Sequence, residues 1–371
     1  MSIDSAVSFI IRHRSERLAH KATALRINKT KVAEWIAIQR KRKLYQDIQW
    51  TEEQAAAFSR FWEENYGKKI SDRWHKLYQA SSGNFAVDYI PEGLYTTKIE
   101  PAMVDYRYAD VLEDKSMVET ICANLPLCAP KSLLLRSNGR YFNGTRLPVS
   151  QEEAVSLISN KESYIMKPST GSSSGRGVTI IDHLSEMDAK RLLEQSQFDF
   201  IIQERIKQHP AFAAFHPSSV NTIRLTTYYC EDSIYHMPIC FRIGRSGSAV
   251  DNIHAGGLVV GVQDDGSLLS TAYELGYGDK NKRFTAHPDS GVVFSGRQLP
   301  GIPKMVQAAY LLQGRYPHIG IISWDFTLDV LGNPVLIEAN IVGQSIWICQ
   351  MIHGKGPFGN NVSDMLKQFR D

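Results

Sequence analysis

Cysteine is scarce in this chain and forms no pattern. The 371 residues hold five, Cys122, Cys128, Cys230, Cys240 and Cys349, and none stands in a CxxC pair. An odd, scattered set argues against a disulfide framework and against a structural zinc site, and fits a reducing cytosol. Long apolar runs are missing too: nothing approaches the roughly 18 residues of a membrane span. The short run from Ala6 to Ile11 has an acid before it at Asp4 and no cleavage-site pattern after it, so it does not read as a signal peptide. Excess charge of one sign is also lacking. A net charge of +3 is too small to imply a nucleic-acid partner by itself. There is no Walker A sequence, no GxGxxG, no internal repeat and no low-complexity tract.

What is present is an ordinary globular composition, 43% hydrophobic and 22% charged, with enough length for two or three domains. The charge is unevenly placed. Residues 12–43 carry eleven Lys/Arg against two acids, Glu16 and Glu34, so the remainder is slightly acidic. Trp35, Ile36, Ile38 and Leu44 are apolar points within that basic stretch. Residues 1–105 read as mainly helical. Thr51 with Gln54 is a capping box, and Phe58, Phe61, Trp62 and Tyr66 follow at helical spacing as a core stripe. From Asp110 the pattern becomes mixed. A short helix is expected over 115–123, strands over 131–136, 140–142, 163–168, 178–181, 200–203, 222–229 and 234–243, and helices over 150–159, 185–197 and 303–315, the first of these three opening on a second capping box, Ser150 with Glu153. This is a largely antiparallel α+β pattern.

Asp325 and Glu338 lie on two strands joined by a tight turn. If Leu331-Gly332 is a two-residue loop, Asp325 falls opposite Glu338 and Ser323 opposite Asn340, all on one face. Opposed like charges are destabilising, and the flanking Ile321, Ile322, Trp324, Phe326, Leu336 and Ile337 would bury them. A hard cation held by both carboxylates and the Asn340 amide oxygen would relieve the conflict. The plain alternative is a solvated polar strand face.

Upstream, Ser169 to Gly177 is rich in Gly and Ser and lies between two strands. Its backbone N–H groups and the hydroxyls of Ser172, Ser173 and Ser174, with Gly175 and Gly177 allowing close approach, suit a flap over phosphates. Lys167 precedes it. The plain alternative is an exposed linker. Residues 201–206 end a strand in a way that suits an adenine slot, with Glu204 near the exocyclic amine. Arg224, Arg242 and Arg245 sit in or at the ends of strands and need anionic partners. Asn252 and His254 lie in a loop that ends in Gly256-Gly257; a structural or solvated role there is the commoner outcome. Together these residues are equipment for phosphoryl chemistry on a nucleotide.

Over about residues 110–371 the chain resembles the ATP-grasp superfamily. Asp114-Lys115 with Pro130, Ile165-Met-Lys167-Pro168 with its Gly/Ser flap, Gln203-Glu204-Arg205-Ile206, Arg242 with Asn252-Ile-His254-Ala-Gly256-Gly257, Trp324-Asp325 and Glu338-Ala-Asn340 occur in the order of that fold's motifs. Tyr89-Ile-Pro91, Leu94-Tyr95 and Asp114-Lys115 are more similar to its sugar-transfer-associated family. The resemblance implies an ATP-grasp fold, two α+β subdomains clamping ATP (about 106–205 and 206–371), after a helical region over 1–105. The N-terminal part lacks the βαβ domain many relatives carry. The resemblance further implies a cytoplasmic carboxylate–amine ligase of polysaccharide or capsule biosynthesis. It would form an amide through an acyl phosphate, with ATP and Mg²⁺, or Mn²⁺ in its place. Lys115, Lys167, the flap and residues 203–206 would bind the nucleotide. Asp325, Glu338 and Asn340 would bind the metal. Arg224, Arg242, Asn252 and His254 would serve the reacting groups. The partners would be a sugar or glycan-linked carboxylate and an amine such as an amino acid, with no nucleic acid. Separately from the resemblance, the basic stretch over 12–43 reads as helices whose Lys/Arg face attracts an anionic acceptor, with peripheral contact at the inner membrane surface; the plain alternative is a solvated helical face packed on the ligase domain. Two other readings stay open: a ligase acting on peptide or protein carboxyl ends, and a nucleotide- or nucleic-acid-binding protein that uses its basic segment.

Overall fold

The structure, a computed structural model, describes residue 27 and residues 29–159, 163–171, 177–247, 256–275 and 281–370. Two antiparallel sheets organise it, in keeping with the α+β class. The first has six strands: β1 (Ser132–Ser137), β2 (Arg140–Asn143), β3 (Pro148–Val149), β4 (Ser163–Pro168), β5 (Thr179–Asp182) and β6 (Phe200–Glu204), in the order β3-β2-β1-β6-β4-β5. Helices Gln151–Ile158 and Glu186–Gln195 lie on one face and close a small core with Leu134, Tyr164, Met166, Phe200 and Ile202. Ser150 starts the first of these helices with the expected capping box, its side chain and that of Glu153 each taking the other's backbone N–H.

The second sheet has eight strands: β7 (Thr222–Cys230), β8 (Ser233–His236), β9 (Ile239–Ile243), β10 (Leu258–Val262), β11 (Leu268–Leu275), β12 (Asn281–Phe284), β13 (Ile321–Leu328) and β14 (Pro334–Asn340). Its order is β12-β11-β10-β9-β7-β13-β14, with β8 also on β7. The strand expected over 234–243 is interrupted. Both β8 and β9 pair with β7, and Met237-Pro238 separates them. Proline has no N–H to give the ladder, so the pairing breaks there. Strands β10 and β11 were not anticipated. All five residues of β10 are buried, so it lacks the alternation that marks a half-exposed strand.

The helical N-terminal part shares the core of this second sheet. Helix Glu52–Tyr66 begins at the Thr51/Gln54 capping box and buries Phe58, Trp62 and Tyr66 in the cluster that holds Ile223, Phe241 and Trp324. Residues 29–40 are helical and bury Ile38 beside Trp74, Tyr78 and Tyr89. Residues 1–26, with the first part of the basic stretch, lie outside the described residues. Among the described residues no helix is long and apolar enough to cross a membrane. All five cysteines are free thiols.

The β13–β14 hairpin reaches the expected pairing by an unexpected route. Ser323 faces Asn340 and Asp325 faces Glu338. The loop, however, has three residues, not two: Asp329 pairs with Asn333, and Gly332 takes φ +81°. That shifts the register by one, and Phe326 faces Leu336. Ile337 is then an extra residue between Leu336 and Glu338, a bulge that restores the register.

Candidate active site at the end of the carboxylate hairpin

β13 is buried along its whole length, yet its two faces differ. Ile322, Trp324 and Phe326 point into the core. Ser323, Asp325 and Thr327 share the other face. Asp325 has a side chain only 3% exposed. Arg224, directly opposite on β7, closes on it as a fork: Nε donates to Oδ1, and Nη2 donates to Oδ2 at 2.8 Å. Arg242 on β9 adds a bond from Nη1 to Oδ2 at 3.1 Å, and the Asn340 amide lies 3.5 Å from the same oxygen. Burial alone would raise the Asp325 carboxyl. The charges of Arg224 and Arg242 overcome that and hold it below the ordinary carboxylate range.

Glu338 is the more open of the two acids, with 29% of its side chain exposed. Burial and the charge of Asp325 push its carboxyl up, and Lys115 and Arg224 only partly oppose this. Its hydrogen bond to Asp325 favours the proton on Glu338. Within the protein the conflict between the acids is eased by the two arginines on Asp325 and by Lys115 beside Glu338.

Two lysines reach this place, Lys167 from β4 and Lys115 from a 3-10 turn over Lys115–Met117 that precedes the first sheet. Lys115 donates its backbone N–H to Ser169 O at 2.9 Å, just past β4, and its Nζ lies 3.7 Å from Glu338 Oε2. Lys167, next to the end of β4, is buried. Desolvation lowers it to about 8, with Glu338 drawing it back up and Lys115 pushing it further down. Lys115, Lys167, Arg224 and Arg242 therefore surround Asp325 and Glu338, four cationic side chains against two carboxylates. That excess suits a polyphosphate. A divalent cation also fits the donors: the Glu338 carboxylate, Asp325 and the Asn340 amide oxygen. Among the described residues no cluster of three or more His, Cys, Asp or Glu forms a metal cage. A cation here would complete its shell with water or phosphate oxygens.

Other expected residues are placed less uniformly. Gly177 has φ +78°, and a Cβ there would meet Pro168 Cγ at 2.8 Å, so this position requires glycine. Gln203 shares the Lys167 face of the sheet, since Lys167 faces Ile201 and Ile165 faces Gln203. Its amide donates to Pro130 O at 3.0 Å. Glu204 faces Tyr164 and so points to the opposite side from Lys167. Its carboxylate is exposed, 3.7 Å from Lys131 Nζ. Strand alternation thus separates the Glu204 side chain from the lysines, while its main chain lies roughly 10 Å along the strand from Lys167, three residues away. Arg205 reaches Ser218 O at 3.4 Å, and Ile206 is half-buried. Arg245 is paired with Glu274 at 3.1 Å. Ser172, Ser173, Ser174, Gly175, Asn252 and His254 lie outside the described residues.

Three acids that the sequence did not single out support the segment after Asn340. Glu113 Oε1 accepts the N–H of both Ile341, at 2.7 Å, and Val342, at 2.8 Å. Glu100 accepts from Gln344 N at 2.8 Å, and Glu92 from Ile346 and Trp347 N. Burial and the charge of Glu34 raise Glu92 to about 8. The partners are more than two hundred residues apart in sequence, so no local pattern could have revealed them. Glu113 does stand two residues before Lys115.

The family described as sugar-transfer associated ATP-grasp matches residues 95–364. No curated protein matches the chain in sequence. Among solved structures, D-alanyl-alanine synthetase A from Vibrio cholerae aligns at 14% identity and a TM-score of 0.42, over 70% of this chain and 65% of that one. VanG D-Ala:D-Ser ligase from Enterococcus faecalis aligns at 16% and 0.39, over 70% and 60%. N5-carboxyaminoimidazole synthetase from Staphylococcus aureus, complexed with ADP, aligns at 11% and 0.35, over 63% and 45%. The chain spans less than two thirds of each of these structures.

Proposed function

The chain belongs to the sugar-transfer associated ATP-grasp family, and on that premise we propose that it is an ATP-dependent carboxylate–amine ligase, joining an amine such as an amino acid to a sugar carboxylate in polysaccharide biosynthesis. The observation that carries the reading is the meeting of Lys167 on the first sheet and Lys115 from the turn before it with Glu338 and Asp325 on the second. A site for phosphoryl transfer needs cations around phosphate and oxygen ligands for a metal in one place, and these four residues supply both.

Magnesium-bound ATP would bring the transferable phosphoryl group and a cation that offsets its charge. Lys115 and Lys167 would hold phosphate oxygens, with the backbone after Pro168 folded over them. Glu338, Asp325 and Asn340 would hold the metal. Arg224 and Arg242 fix Asp325 and keep it ionised, and would lend positive charge to an acyl phosphate and to the adduct formed when the amine attacks. The chain needs no covalent nucleophile, because positioning and charge supply most of the catalysis.

The test uses the purified protein with ATP, Mg²⁺, a carboxylate labelled with ¹⁸O (glucuronate, galacturonate or UDP-glucuronate) and a panel of amino acids. The expected result is ADP and phosphate, formed only when carboxylate and amine are both present, with one ¹⁸O recovered in the phosphate for each amide made. Formation of AMP and diphosphate, or label retained wholly in the amide and unreacted acid, would overturn it. Turnover with peptide carboxyl ends and with none of the sugar acids would favour the peptide-modifying ligase.

A further inference from the structure

The helix over residues 29–40 has two unlike faces. Its inner face continues beyond the helix: Ile27, Thr30, Glu34, Ile38, Lys41 and Tyr45 follow one another at steps of three or four and turn inward. Thr30 and Glu34 line a cavity with Glu92, Thr96, Glu100 and Gln344. Its outer face exposes Val32 at 58%, Trp35 at 61% and Ile36 at 37%, an apolar stripe at helical spacing. Lys29, Lys31, Arg40, Arg42 and Lys43 are exposed around it. Over 29–43 the only acid is Glu34, and it faces the cavity.

An outward Trp/Ile/Val stripe framed by basic residues, with the acid turned inward, is the composition of a helix that lies in a membrane interface. We propose that this helix docks the protein on an anionic lipid bilayer, with Trp35, Ile36 and Val32 entering the headgroup region and the basic residues meeting lipid phosphates. Charge complementarity selects the bilayer over a second copy of the chain, since two such basic faces repel. The inference goes beyond the ligase reading and does not depend on it.

The test is co-sedimentation of the full chain with vesicles of phosphatidylcholine alone, or mixed in equal parts with phosphatidylglycerol, at low and high salt. Two variants accompany the wild type: Trp35→Ser with Ile36→Ser, and Arg40→Gln with Arg42→Gln and Lys43→Gln. All five positions are exposed, so folding is expected to survive, as circular dichroism would check. Wild type should bind the anionic vesicles, not the neutral ones, and lose affinity with salt. Removing three basic residues should weaken binding on the order of a hundredfold, and the apolar variant should lose it. No binding of wild type to anionic vesicles would overturn the proposal, as would unchanged binding by the apolar variant. A wild-type dimer in sedimentation velocity that the apolar variant dissociates would overturn it too, by assigning the stripe to self-association.

Discussion

Arg224 stands directly across from Asp325 in the β7–β13 pairing, and its guanidinium grips both carboxylate oxygens. The pair is what allows a carboxylate to sit ionised on a buried strand of the eight-stranded sheet, beside a second acid. Replacing Arg224 with Ala leaves Asp325 buried with only part of its compensation. Breaking a buried pair by removing one partner costs about 3–5 kcal/mol. Thermal or urea unfolding of Arg224→Ala should show a loss of that order. Arg224→Lys keeps the charge but not the fork and should fall between the two.

Lys167 gives the site a pH dependence with a definite sign. Its folded-state value is about 8, below the ordinary 10.5. Between those values the unfolded chain binds the extra proton, so this group's contribution to stability rises with pH across that window. Nucleotide binding runs the other way. Phosphate favours the charged lysine, so binding should take up a proton, and ATP affinity should fall as pH rises above 8. Calorimetry of ATP binding in buffers of different ionisation enthalpy would measure the uptake. Lys167→Arg, which stays charged, should show none from this position. Equal proton uptake in wild type and Lys167→Arg would contradict the assignment.

Glu113 tests whether the segment after Asn340 needs its anchor. One carboxylate oxygen holds the N–H groups of Ile341 and Val342. Glu113→Ala leaves both without that acceptor and should cost about 1–3 kcal/mol of stability. It should also raise the Mg²⁺ concentration needed for nucleotide binding, because Asn340 adjoins the released segment. Glu113→Gln retains an acceptor oxygen and should recover most of both. Loss of stability with unchanged Mg²⁺ dependence would confine Glu113 to folding.

Legibility in the sequence followed the range of the interactions. The capping boxes at Thr51 and Ser150 are local, and their residues alone identified them. The pairing of Asp325 with Glu338 was reached although the loop was read one residue short, because the bulge at Ile337 cancels that residue. The α+β class and the alternation of β13 were legible because both depend on neighbours in sequence. What held Asp325 was not. Arg224 and Arg242 lie 101 and 83 residues from it, and an inward arginine in a sequence says only that some anion is near. The carboxylates of Glu92, Glu100 and Glu113 were missed for the same reason. The face of Glu204 was set by register against β4, which depends on where a distant strand begins.

Glu338, with Asp325 opposite it, is the proposed metal-holding pair of a polyphosphate site. Its most direct test is calorimetric binding of a non-hydrolysable ATP analogue to wild type and Glu338→Gln, with and without Mg²⁺. The substitution keeps the shape of the side chain and removes its ability to carry charge, so the fold should hold. With Mg²⁺, wild type should bind tightly and Glu338→Gln at least about tenfold more weakly, since changing even an outer partner of a metal ligand costs about that much in metal affinity. Without Mg²⁺ the two should bind alike, or the variant slightly better. Equal affinities in the presence of Mg²⁺, or an absence of binding by wild type, would contradict it.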